Sequence, residues 1–92
     1  MILEELEAVL RDRLVAPPAG SYSATLLTDP EAAQRKIIEE AFELCLELGR
    51  DPVDADRTAA EAADLLFHTL VGLVGAGVPL TSVLAELQAR RL

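Results

Sequence analysis

Ninety-two residues with a net charge of −8 allow one domain and exclude a nucleic-acid surface built from Lys and Arg. Hydrophobic residues make up 51% of the chain and aromatic ones only 3%, so the core must be aliphatic, and there is more apolar surface than one small monomer can hide; a dimer or larger assembly is expected. The single cysteine, Cys45, excludes an intrachain disulfide and a cysteine-built zinc site and makes the cytoplasm the expected compartment.

The start, MILEELEAVLRDR, carries acids early and alternates polar with apolar residues, unlike a signal peptide. Leu3, Leu6, Val9, Leu10 and Leu14 recur at helical spacing and predict a first helix over Leu3–Leu14. Pro17, Pro18 and Gly20 end it, and Pro17–Thr28 is expected to be a loop docked by Leu26 and Leu27. Asp29-Pro30-Glu31 then has the chemistry of a helix start: an N-cap, a proline at the first helical position and an acid in the first turn. This second helix runs to Leu48 and stops at Gly49. Its predicted core stripe is Ile37, Ala41, Leu44, Cys45 and Leu48, flanked by a polar row of Lys36, Glu40, Glu43 and Glu47. A turn at Gly49–Asp54 leads to a third helix, Asp54–Ala76, closed by Gly77 and Pro79. A short fourth helix covers Leu80–Arg91. The apolar stretch Leu65–Leu80 is interrupted by His68, Gly72, Gly75, Gly77 and Pro79 and falls short of the roughly 20 residues of a membrane span. With no strand pattern, the fold class is all-α: a single domain over residues 1–92, a bundle of four to five helices.

Acids on the third helix are the anomaly. On a wheel of roughly 100° per residue, Arg57, Glu61, Asp64 and His68 share a sector about 60° wide, and nearly everything else is apolar. A carboxylate on such a helix is costly unless something positive meets it. Glu40 and Glu43 on the second helix border its apolar stripe. If the two helices pack antiparallel through the short turn, both i, i+3 pairs face one groove. The plain readings are a solvated face for Glu40/Glu43 and an ion pair with Arg57 for Glu61. Taken together, the two pairs favour a bound cation, which removes the repulsion between them. An all-oxygen ligand set of Glu40, Glu43, Glu61 and Asp64, without two E-x-x-H motifs, disfavours zinc and di-iron and favours Mg²⁺, with Mn²⁺ second. Mg²⁺ commonly shares its coordination with substrate phosphates, which points to phosphoanhydride chemistry.

The run K-I-I-E-E-A-F-E from Lys36 to Glu43, then E-A-A-D-L-L-F-H from Glu61 to His68, resembles the EExxE…ExxD signature of the all-α nucleotide pyrophosphohydrolases. Within that superfamily the chain is most similar to the phosphoribosyl-ATP pyrophosphohydrolases of histidine biosynthesis. That narrower likeness is carried by the opening helix up to Arg13, the loop G-S-Y-S-A-T-L-L from Gly20 to Leu27, the DLLFH block and the ending up to Arg90. Gly49–Ala59 carries no likeness. Ser23, Pro30 and Ile38 depart from the family pattern without touching a carboxylate, and Leu14 and Val15 stand where basic residues usually follow Arg13.

The resemblance implies Mg²⁺-dependent hydrolysis of phosphoribosyl-ATP to phosphoribosyl-AMP and pyrophosphate, the second step of histidine biosynthesis, by an intertwined homodimer. It makes Glu40, Glu43, Glu61 and Asp64 metal ligands and Glu39 and Glu40 catalytic candidates. Glu39, roughly 100° round the helix from Glu40, is open to three readings: base for the attacking water, further ligand or surface acid. Arg13, Ser21, Tyr22, Lys36, His68 and Arg90 are the substrate-side candidates. Each has a plain alternative: loop anchoring for Arg13, Ser21 and Tyr22, an i, i+4 pair with Glu40 for Lys36, a hydrogen-bonded place beside the ligands for His68, and a helix-terminal cation for Arg90. Two other functions fit the same acids: a MazG-like housekeeping nucleoside triphosphate pyrophosphohydrolase, and a non-enzymatic acidic helical dimerisation module.

Overall fold

Residues 1–91 are described by a computed structural model containing five α-helices: α1 (Ile2–Val15), α2 (Tyr22–Leu27), α3 (Pro30–Leu48), α4 (Ala55–Gly75) and α5 (Leu80–Ala89). There is no strand among the described residues, as the sequence predicts.

Local chemistry sets the helix ends. The Asp29 carboxylate accepts from Ala32 N at 3.1 Å with Pro30 following it, and Asp54 accepts from Arg57 N at 3.1 Å. At the α4 C-terminus Gly77 takes a φ of +75°, so that Val78 N reaches Leu73 O at 2.9 Å and Gly77 N reaches Val74 O at 3.1 Å, a Schellman arrangement. The N-terminus of α5 has no side-chain cap of its own; Glu7 of α1 provides one, accepting from Leu80 N at 2.7 Å.

The predicted loop at residues 17–28 is corrected. Its second half is α2, whose N-cap is Ser21: the hydroxyl oxygen accepts from Ala24 N at 3.2 Å. Six residues are too few to display helical periodicity, so the element was hidden. Leu26 and Leu27 do dock it, both buried against Leu10, Leu70, Val71, Val74 and Leu80. Each such Leu or Val contributes roughly 1.5–3 kcal/mol. Gly75 permits the close approach of α2 to α4, because a Cβ there would lie 2.9 Å from Leu27 O.

This core occupies one end of the molecule. α3 and α4 make the most extensive helix pair, but their far halves, next to the connecting turn, have no apolar core. Between Ala41 and Phe67 the one buried residue is Glu47. The predicted α3 stripe is therefore only half realised within one chain: Ile37, Ala41 and Leu44 are half-buried, whereas Cys45 and Leu48 are exposed. α4 is likewise not enclosed all round, with Leu66 55% exposed. The radius of gyration is 14.5 Å, against about 12 Å for a compact domain of this length. No single helix among the described residues is long and apolar enough to cross a membrane.

Candidate metal centre

α3 and α4 run antiparallel, and the polar residues facing across the groove have numbers adding to 104. Glu47 stands opposite Arg57, Glu43 opposite Glu61 and Glu40 opposite Asp64. The first rung is an ion pair, with Arg57 Nε 3.3 Å from Glu47 Oε1. At the second, carboxylate oxygens of Glu43 and Glu61 lie within 4.8 Å, and at the third the Asp64 charge acts on Glu40. The i, i+3 and i, i+4 spacing that puts each set on one face becomes a convergence only because the register matches.

Carboxylate oxygens of Glu40, Glu43 and Glu61 all lie within 4.8 Å of one another. Glu40 is 6% exposed, Glu61 half-buried and Glu43 exposed. Glu40 Oε2 and Glu61 Oε2 are buried and without a hydrogen-bond partner. Such atoms are costly, because they have left water without gaining a donor. Burial, followed by the charges of Glu43 and Asp64, pushes the Glu40 pKa up, against the opposing pull of His68 and Lys36. The Glu61 pKa is also raised, first by burial and then by the closeness of the Glu43 carboxylate. Oxygen-only donors, mutual repulsion and two orphaned buried oxygens fit a hard divalent cation.

The structure thus brings together three of the four expected ligands. Asp64 is exposed and outside the converging set, at the edge of the cluster, where its charge still raises Glu40. Glu39 does not join it either: its carboxylate is bound by Lys36 Nζ at 3.2 Å on the outer rim. Lys36 also sits 3.7 Å from Glu40 Oε1, and its own pKa is raised, chiefly by the Glu39 hydrogen bond and then by Tyr22.

His68 is buried one turn beyond Asp64. Its Nδ1 lies 2.8 Å from Asp64 O, a carbonyl that can only accept, so Nδ1 carries the proton. His68 Nε2 lies 3.1 Å from Tyr22 Oη, accepting its proton in the neutral ring and donating to its oxygen in the imidazolium. The Tyr22–His68 contact ties α2 to α4 beside the acids. Arg13 Nη1 donates to Ser23 Oγ at 2.8 Å, and Ser23 Oγ is 3.3 Å from Ser21 Oγ, so Arg13 and Ser21 both have partners within the chain. Arg90, exposed at the C-cap of α5, has no hydrogen bond or ion pair joining its side chain to the site among the described residues. An apolar cavity of about 120 Å³ behind α2, lined by Leu26, Leu27, Ala33, Ile37 and Val71, contains none of these groups.

Sequence reasoning missed the environment of Glu47. The plain alternative, an ion pair of Arg57 with Glu61 on its own helix, is not realised; Arg57 crosses to Glu47 instead. Arg50 Nε adds a second contact, 2.9 Å from Glu47 Oε2 but out of line for a hydrogen bond, hence an ion pair. The signal was present: once Glu43 faces Glu61, helix geometry puts Glu47 opposite Arg57.

The sequence profile of the phosphoribosyl-ATP pyrophosphohydrolase family matches residues 3–91. The chain belongs to that family. It is 44% identical over 93 residues to the phosphoribosyl-ATP pyrophosphatase of Methanoculleus marisnigri, covering 98% of this chain and 94% of that one. The Roseobacter denitrificans enzyme of the same name is 44% identical over 92 residues, 99% and 86% of the two chains. That of Methylobacterium nodulans is 42% identical over 91 residues, 96% and 81%. The family places this chain among the phosphoanhydride hydrolases, and a purely structural dimerisation module is set aside.

Proposed function

We propose that this protein hydrolyses phosphoribosyl-ATP to phosphoribosyl-AMP and pyrophosphate in histidine biosynthesis, with Mg²⁺ held by Glu40, Glu43 and Glu61 and with Asp64 as an edge ligand. The observation that carries this is the convergence of three carboxylates of which two keep a buried, unpartnered oxygen.

The chemistry supplied by Mg²⁺ when bound is positive charge on the phosphate oxygens and acidification of water. The residues around it have separable tasks. Glu40 faces the cluster, and the oxygen it does not give to the cation is placed to take the proton of the attacking water. Water then adds to the α-phosphorus, the α–β bridge breaks and pyrophosphate leaves. Glu39 keeps Lys36 at the rim, where the ammonium is free to swing to an incoming phosphate. Tyr22, held in place by His68, presents its hydroxyl to a substrate polar group. The buried His68 acts as a post for Tyr22 rather than a substrate contact. Arg13 and Ser21 shape the α2 entrance.

A homodimer is part of this reading. Ile38, Phe42 and Leu46 on the outer side of α3 are 69%, 63% and 55% exposed, a contiguous apolar face that a second copy would cover. The cytoplasm is the compartment where this chemistry is placed.

Pyrophosphate release from phosphoribosyl-ATP, measured beside a panel of nucleoside triphosphates with Mg²⁺ and with chelator, tests the proposal. Preference for phosphoribosyl-ATP and silence with chelator are expected. Equal turnover of ordinary triphosphates would move the assignment to a housekeeping pyrophosphohydrolase, and full activity in chelator would remove the metal.

A further inference from the structure

The cluster creates a mechanical problem for the arm that carries it. At the Glu43–Glu61 rung the carboxylates of α3 and α4 come within 4.8 Å of each other, and from Ala41 to Phe67 no apolar residue is fully buried to hold the helices together. The buried group in that stretch is Glu47, 5% exposed, four residues beyond Glu43. Its two oxygens meet cations from two different places: Arg57 of α4 at 3.3 Å and Arg50 of the turn at 2.9 Å. Arg57 in turn is four residues before Glu61. The bridge is thus one helical turn from the carboxylates, on the same face of both helices, and it crosses the seam that their repulsion would open or slide. Losing both arginines would leave a buried carboxylate uncompensated, which is unfavourable, although each arginine side chain is itself more than half exposed. Neither Glu47 nor Arg57 belongs to the EExxE…ExxD signature, so the bridge lies outside the acid motif itself.

We propose that Glu47 is a positioning residue: through Arg57 it locks the register of α3 on α4 in which Glu43 and Glu61 meet, and so sets the affinity of the site for its divalent cation. The proposal rests on the metal reading above. It separates affinity from chemistry, since neither Glu47 nor Arg57 belongs to the converging set.

The test is Mn²⁺ binding to the full-length chain, read by the electron paramagnetic resonance of free Mn²⁺, beside Mg²⁺ activation curves for pyrophosphate release. Glu47→Gln is expected to weaken Mn²⁺ binding by roughly tenfold or more, in the range found when groups supporting metal ligands are removed. The half-activating Mg²⁺ concentration should rise by the same factor, with kcat recovering at saturating metal. Arg57→Gln, made on an exposed side chain, should shift both in the same direction by less, because Arg50 remains; Arg57→Lys should restore most of the loss. If Glu47→Gln proves unfolded by circular dichroism, the Arg57 pair decides. Unchanged Mn²⁺ affinity in a folded variant, or a fall in kcat with no change in affinity, overturns the lock while leaving the metal reading standing. Absence of Mn²⁺ binding in the wild-type chain overturns both.

Discussion

Two carboxylate environments share the α3–α4 groove a single helical turn apart, and the protein treats them in opposite ways. Glu47 is buried and met by Arg50 and Arg57. Glu40, Glu43 and Glu61 are drawn together within 4.8 Å, and the one cation in contact is Lys36, 3.7 Å from a single oxygen of Glu40. The fold can therefore neutralise a buried acid and does so at Glu47. It leaves the neighbouring three with Lys36 alone among the described residues, at a cost in stability, and the proposed cation site rests on that contrast.

The sharpest way to break this contrast is to remove an acid from the bare cluster. Glu61→Gln is expected to lower kcat by roughly 10²–10³-fold, the scale of losing one charge-stabilising element of an active site. In chelator the same variant should melt at a higher temperature than the wild type, because a repelling carboxylate is gone. Pyrophosphate release and thermal melts measure the two effects; a Glu61→Gln protein that stays active, or that melts lower in chelator, would erase the distinction between the two environments.

Cation addition comes next. Mg²⁺ should raise the Tm of the wild type, by about 2.7 kcal/mol of stability when present at 100 times its Kd, and should leave Glu61→Gln nearly unmoved. A melt series in Mg²⁺ and in chelator reads this directly.

Proton competition sharpens the same point. The folded-state pKa values of Glu40 and Glu61 are raised, so the folded metal-free chain retains protons that the unfolded chain has already released. This contribution to stability is fully present below the ordinary glutamate value near 4.3 and is lost as pH rises through the raised values. In chelator, Tm should therefore decline from mildly acidic toward neutral pH, whereas apparent Mg²⁺ affinity should climb across the same window. Melts at stepped pH with and without Mg²⁺ distinguish this from a general acid effect, which would move both series together.

The smallest effect is expected on the compensated side. Arg50→Gln removes a cation that is half exposed and leaves Arg57 in place, so a loss of about 1 kcal/mol or less is expected from urea unfolding, with kcat unchanged.

Much of this arrangement is legible along the chain. Asp29-Pro30 and Asp54 start α3 and α4 at the predicted places, and Gly77 ends α4, because caps are formed by the residues at the helix ends themselves. The pairs Glu40/Glu43 and Glu61/Asp64 announce shared faces because helical spacing is fixed. α2 was hidden by its brevity, and the tether between Tyr22 and His68 spans 46 residues, a distance over which no spacing rule operates. The partner of Arg57 is hidden for the same reason: along its own helix the plain alternative is Glu61, and Glu47 is offered only by the facing helix.

What the sequence determined by itself is local and compositional: an all-helical chain, its caps, the placing of four acids on two helical faces, the excess of apolar surface and the family signature. Each follows from bonds and periodicities within a few residues. The tertiary structure decided the register, the single offset that sets 43 against 61 and 47 against 57. It thereby decided which acids are answered by arginine, which are left for a cation, and why Asp64 stands at the edge. Register is a relation between two helices, set by turn length and by packing at the opposite end of the hairpin, and neither helix carries it alone.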